Sequence, residues 1–111
     1  MLDPSLFVSD SVQKKEVELP DGKKHTLYFK EYSGAAFTRY ALVARSSDMQ
    51  ERSTAAPILI YSSMCNPDGT PALSFERACM LKPEVMQAIF ATVLVVNGVK
   101  KPGEESDEKN A

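Results

Sequence analysis

The segment from Pro83 to Asn97-Gly98 constrains the fold of this chain more than any other. Between a proline suited to a first helical position and an Asn-Gly stop, its only polar side chains are Glu84, Gln87 and Thr92. On a helical wheel Val85, Ile89, Val93 and Val96 align on one side, and that rhythm marks them as core. Met86, Phe90 and Leu94 lie on the shoulder of the stripe, and Ala88, Ala91 and Val95 occupy most of the remainder. A surface helix of a small domain needs an apolar stripe of only ~100°. This one has apolar surface to spare. Either it runs through the centre of the fold, or one of its faces meets a partner.

The rest of the chain supplies what such a helix can pack against. Glu16-Val17-Glu18-Leu19 alternates, Pro20-Asp21-Gly22-Lys23 is a turn signal, and His25 to Lys30 is rich in strand formers, so the spacing predicts a β-hairpin. Val17 and Leu19 share one face, with Leu27 and Phe29 available opposite. Two strands alone are marginal in water, so the hairpin must lean on helices. Ser33 is a suitable N-cap for a helix over 34–47, in which Phe37, Tyr40 and Ala44 form a stripe whose plain reading is core. Asp48 with Glu51 three residues on restarts a helix. Pro57 either kinks or re-initiates it, with Thr54 as a second cap. From Ile58 to Cys65 the chain reads as helix, although Ile58 to Tyr61 alone also suits a strand. Asn66-Pro67-Asp68-Gly69-Thr70-Pro71 is a break, and Ser74 caps a short helical segment from Phe75 to Leu81.

These elements give an α+β fold: an N-terminal β-hairpin packed on a small helical bundle, mainly α by residue count. Residues 1–13 read as an arm with Leu6-Phe7-Val8 as its anchor, 14–99 as one globular domain, and 100–111 as a disordered acidic tail with no large apolar residue. At 111 residues and 43% hydrophobic composition, one core is the expectation. With a net charge of −2 there is no basic field for a nucleic-acid backbone, and no apolar run suits a membrane span. Met1-Leu2-Asp3-Pro4 has neither the basic nor the apolar region of a secretory signal, so none is expected.

Chemistry-bearing residues are few. Cys65, Cys79 and His25 fall short of the common zinc ligand sets, so no metal and no cofactor are expected. A Cys–His nucleophilic pair is formally open if the fold brings His25 to either thiol. Both cysteines have apolar neighbours, however, and read as small hydrophobes, while His25 beside the turn reads as solvated. No phosphate-binding or nucleophile-elbow glycine pattern occurs, and the chain is expected not to be an enzyme.

The order of parts resembles the small tail assembly chaperones of long-tailed bacteriophages. The features that carry it are the strand ending in Leu19-Pro20-Asp21-Gly22, the Tyr32-Ser33-Gly34 start of an amphipathic helix, the Asn66 to Pro71 break, the Phe75 segment, and the apolar helix stopping at Val96-Asn97-Gly98 before a polar tail. The resemblance spans residues 14 to 99 and rests on the succession of spacings. It implies a non-enzymatic protein of the host cytoplasm, not retained in the mature virion. Such a protein binds the long helical tape measure protein and keeps it soluble while the tail tube forms. It also implies a short form alongside a frameshifted longer form, with Lys100-Lys101 as a place for the slippage, and the family has no catalytic residues to carry over. The alternative is a structural or connector minor protein of the same kind of tail.

Met86, Phe90 and Leu94 are the candidate contacts with a client or with a second copy, because methionine adapts its shape and aromatics supply rigid area. Phe37 and Tyr40 extend the patch if their helix packs alongside. Leu94→Glu is expected to leave a soluble, folded protein with impaired association or client binding. Deleting Gly103 to Ala111 is expected to leave the melting temperature within a few degrees of the full chain in a thermal scan, since a solvated tail adds little to a core.

Overall fold

A computed structural model of the chain describes residues 2–98. The expected tail over 100–111 lies outside the described residues, as does the domain boundary at 99. A 3-10 turn over Pro4–Leu6 is followed by β1 (Gln13–Glu18), β2 (Lys24–Phe29), α1 (Gly34–Ala44), α2 (Met49–Arg52), α3 (Ala55–Ser63), β3 (Met64–Cys65), α4 (Phe75–Cys79) and α5 (Pro83–Val96). The strands form one antiparallel sheet in the order β1-β2-β3, with helices against one face. The class is α+β, with the hairpin seated on a helical bundle.

The hairpin turns where Pro20-Asp21-Gly22 places it. Gly22 takes φ 81°, its N–H donates to the Leu19 carbonyl at 2.8 Å, and Leu19 N–H donates to the Lys23 carbonyl at 3.1 Å. Only a residue without a Cβ adopts that φ freely, and it fixes the register. Gln13 pairs with Phe29, Lys15 with Leu27 and Val17 with His25. The partner opposite Val17 is therefore His25, with Leu27 and Phe29 further along the same face. Val17 and Phe29 are buried on that face, while Lys14, Glu16, Glu18, Lys24 and Thr26 are exposed on the other. One side of the sheet is core and the other is largely wet.

The helix at the centre is α3, not α5. Ala55, Pro57, Ile58, Leu59, Ile60 and Ser63 are all buried, and α3 packs against α1, α4, α5 and β3. Apolar residues on every side suit a helix enclosed all round. Pro57 neither kinks nor ends it: it lies in the first turn, where a backbone N–H has no intrahelical partner to lose. Thr54 precedes the helix without a side-chain cap and turns its hydroxyl back to the Glu51 carbonyl.

The expectation that the helix runs on to Cys65 is overturned at Ser63. Met64 leaves in extended conformation (φ −72°, ψ 129°), and Met64–Cys65 joins the sheet as a third strand beside Phe29 and Tyr28. The switch is locked by Ser63. Its carbonyl accepts from Lys30 N–H at 2.9 Å, and its hydroxyl donates to the Lys30 carbonyl, so a fully buried serine stitches helix end to strand end. Sequence patterning misses this because Met and Cys suit either state, and the long-range partner decides.

Three caps fall at the expected residues. Ser33 accepts from Ala36 N–H, Asp48 from Gln50 N–H, and Ser74 from Arg77 N–H. The helices they open are shorter than expected, stopping at Ala44 rather than Ser47 and at Cys79 rather than Leu81. Asn97 ends α5 and does more than stop it. Its Nδ2 donates to the Val93 carbonyl at 2.8 Å and its Oδ1 accepts from Tyr32 N–H at 3.0 Å, tying the end of α5 to the start of α1.

Ser63→Ala removes the donor to a part-buried carbonyl and is expected to cost about 1–3 kcal/mol. Urea denaturation followed by circular dichroism checks it; Ser62→Ala, which loses only a bond to a carbonyl within its own helix, is expected to cost less.

Candidate functional site

The five residues singled out in the sequence lie on two helices, and their aromatic members meet. Tyr40 of α1 lies against Phe90 of α5 with ring centroids 5.8 Å apart, and Phe37 lies 5.6 Å from Tyr40. Tyr32 completes the row, stacked on Phe37 at 6.0 Å and 22°. Each pair is within the range in which offset or tilted rings attract. Tyr32 has a signal that the wheel reading overlooked. It immediately precedes the Ser33 cap, and Phe37 is the fourth helical residue, the spacing of a hydrophobic staple.

The row is open to solvent in part. The stripe on α1 is not core: Ala36 is the buried residue of that helix, and Phe37 keeps 42% of its surface exposed. Tyr40, Met86, Phe90 and Leu94 are half-buried and packed against the core from outside. Burial pushes the Tyr32 hydroxyl up from its ordinary pKa, with a smaller contribution from Tyr40, which keeps Tyr32 in its uncharged form. Along α5, Ile89, Val93 and Val96 are buried as expected, whereas Val85 is half-buried and Val95 is exposed. The helix therefore spends one stripe on the core. Its surplus apolar surface points outward beside α1.

Two open grooves flank this body. One, of about 360 Å³, lies between the hairpin turn and the start of α5, with Leu19, Pro20, Leu81 and Val85 among its walls. The other, of about 410 Å³, lies between α1, α2 and α3, with the Tyr61–Phe75 edge-to-face pair at one wall and Arg39 and Glu51 at its rim. Neither contains a cysteine. No group of three His, Cys, Asp or Glu residues able to hold a metal occurs among the described residues, and no helix among them is long and apolar enough to cross a membrane.

Backbone comparison places this architecture beside a solved one. The chain is similar in fold to the bacteriophage HK97 tail assembly chaperone. The superposition has a TM-score of 0.58 at 19% sequence identity and covers 82% of this chain and 86% of the HK97 chain. No protein-family model and no curated protein matches the sequence. The likeness to the HK97 chaperone is thus one of fold, carried by the arrangement of elements rather than by side chains. That is the level at which the order of turns, caps and helices in the sequence resembled the tail chaperones.

The chemistry-bearing residues are dispersed. His25 is half-exposed rather than freely solvated, with Nε2 2.9 Å from Asp21 Oδ2, and among the described residues no hydrogen bond joins it to either thiol. The Asp21 carboxyl is held below its ordinary range first by the Lys23 backbone N–H and then by His25. Cys65 is buried beside Pro71, and burial raises its thiol pKa. Cys79 is exposed at the end of α4, which corrects its reading as a small core hydrophobe; partial desolvation and then Glu76 raise its thiol pKa as well.

Both thiols are weak nucleophiles at neutral pH, so access separates them. Iodoacetamide at pH 8 is expected to modify Cys79 in the native protein and to spare Cys65 until denaturant is added, as read by peptide mass spectrometry.

Proposed function

We propose that this protein is a phage tail assembly chaperone that binds the tape measure protein and keeps it soluble, without catalysing a reaction. The observation that carries the reading is the fold shared with the HK97 tail assembly chaperone across most of both chains. The aromatic row from Tyr32 to Phe90, continued by Met86 and Leu94 along α5, is the client-binding face under this reading. A long helical client presents apolar residues at i, i+3 and i+4, and a shallow surface of rigid rings edged by methionine suits such ridges without demanding one sequence. Half-buried rings keep the face in shape while unoccupied, so little ordering cost accompanies binding. The same reading has the protein act in the host cytoplasm and leave before the virion matures.

Phe37→Glu is the sharper test than Leu94→Glu, because Leu94 packs on the core and Phe37 is more exposed. The variant loses two ring pairs, an expected cost of about 1–2 kcal/mol, and stays folded. Co-expressed with the tape measure protein of the same phage, the natural chain is expected to keep that protein in the soluble fraction, and Phe37→Glu to lose most of that effect. A tape measure protein equally soluble with and without the natural chain would overturn the chaperone reading. Mass spectrometry of purified virions is expected to find the chain missing; its presence at stoichiometric amount would favour a structural tail protein.

A further inference from the structure

α1 and α5 carry the aromatic row, yet they do not pack closely on each other. Each lies along α3, and the seam between them is bridged by side chains. At one place the bridge is a pair of rings, Tyr40 against Phe90. At the other it is the hydrogen bond from Tyr32 N–H to Asn97 Oδ1. Among the described residues no other hydrogen bond joins the two helices or their ends. Ring contacts slide at little cost, whereas a hydrogen bond weakens steeply as its angle departs from linear. The width of the seam at the Tyr32 end therefore depends on one amide.

Ending α5 does not require that amide. Asn97 N–H donates to the Val93 carbonyl at 3.1 Å, Gly98 N–H donates to the Val95 carbonyl at 3.0 Å, and Gly98 turns the chain away at φ 82°. Those backbone groups close the helix, as C-terminal glycine motifs do. The side chain has a second task, set by its neighbours. Val93 offers a carbonyl and Tyr32 an N–H, so the residue between them must donate to one and accept from the other. A carboxamide does both from separate atoms; a carboxylate only accepts, and a single hydroxyl oxygen cannot stand in both places.

What the amide holds is the least supported part of the row. Tyr32, Tyr40 and Phe90 pack on the core, whereas Phe37 stands outside the core cluster and is exposed. Its ring is oriented by its neighbours, stacked on Tyr32 at 22° and tilted against Tyr40 at 49°. Taking the row as the client-binding face proposed above, we propose that Asn97 is a positioning residue for it. By holding Tyr32 N–H, Asn97 sets the start of α1 against the end of α5 and so fixes the stack that orients Phe37. A ring held in one orientation meets a partner without first giving up rotamer freedom. Loosening it weakens client binding while the fold stands.

Three variants of the full chain, co-expressed with the tape measure protein of the same phage, test this. Asn97→Ala removes both amide bonds and is expected to lower the amount of soluble tape measure protein about fivefold, the factor that one hydrogen bond is worth. Asn97→Asp keeps the acceptor for Tyr32 but sets a carboxylate beside the Val93 carbonyl at the negative end of α5. It is expected to melt no higher than Asn97→Ala, yet to restore most of the solubilisation. Ser74→Ala uncaps α4, which packs on α3 and carries no residue of the row. It is expected to lower the melting temperature and to solubilise like the natural chain. In proton NMR of the free chains, the Phe37 ring signals are expected to move in Asn97→Ala and to hold their natural positions in the other two variants. Solubilisation that follows melting temperature across the three variants, Asn97→Asp no better than Asn97→Ala, or Phe37 signals unmoved in Asn97→Ala would each overturn the role of Asn97 alone. A natural chain without effect on the tape measure protein would overturn the client reading and this role with it. Should Asn97→Ala lose its circular dichroism signal, Asn97→Ser takes its place in the same comparison.

Discussion

Enclosure of α3 is the constraint on which the rest depends. A nine-residue helix whose Pro57, Leu59, Ile60 and Ser63 are almost fully out of water must be surrounded, and the surround is everything else: α1, α4, α5 and the sheet. Its carboxyl end cannot fray into solvent, because Ser63 is bonded at both its carbonyl and its hydroxyl to Lys30. Helix and sheet are therefore joined at one point by reciprocal bonds, and β3 exists because the chain leaves that point already alongside β2. With α3 taking the centre, α5 is displaced to the outside. Its apolar surplus is left facing outward next to α1, which is where the aromatic row forms.

Local chemistry was legible in the sequence, and long-range choice was not. Proline, glycine and the hydroxyl and carboxylate caps act within a few residues, so the turn at Gly22, the caps at Ser33, Asp48 and Ser74, and the limits of α5 follow from their neighbours alone. Which of two apolar helices becomes central depends on the competition between them, and α3 wins because it is apolar around its whole circumference over a short length. The strand at Met64–Cys65 was invisible for a related reason: two residues have no period, and their partner Phe29 is distant in sequence. The candidate face came from helical spacing, and that spacing correctly put Phe90 on a shoulder. That Tyr40 would meet it depended on how α1 and α5 converge on α3.

The arm and the aromatic face are apolar surfaces of different construction. The face is a floor of partly exposed rings supported from beneath by the core. The arm is a short capped turn with three consecutive large side chains left in water. The two surfaces lie at separate places, the arm beside Glu31 and the row across α1 and α5.

The free margin of β1 has a consequence of its own. Among the described residues the order β1-β2-β3 leaves one side of the first strand unpaired, and its sequence there is Lys14-Lys15-Glu16-Val17-Glu18. Charged side chains along an open strand, here Lys14, Glu16 and Glu18 on its exposed face, oppose the backbone-to-backbone zippering by which exposed sheet margins recruit one another into fibres. In a chain with this much uncovered apolar surface, the margin of β1 is thereby a poor place for another strand to add.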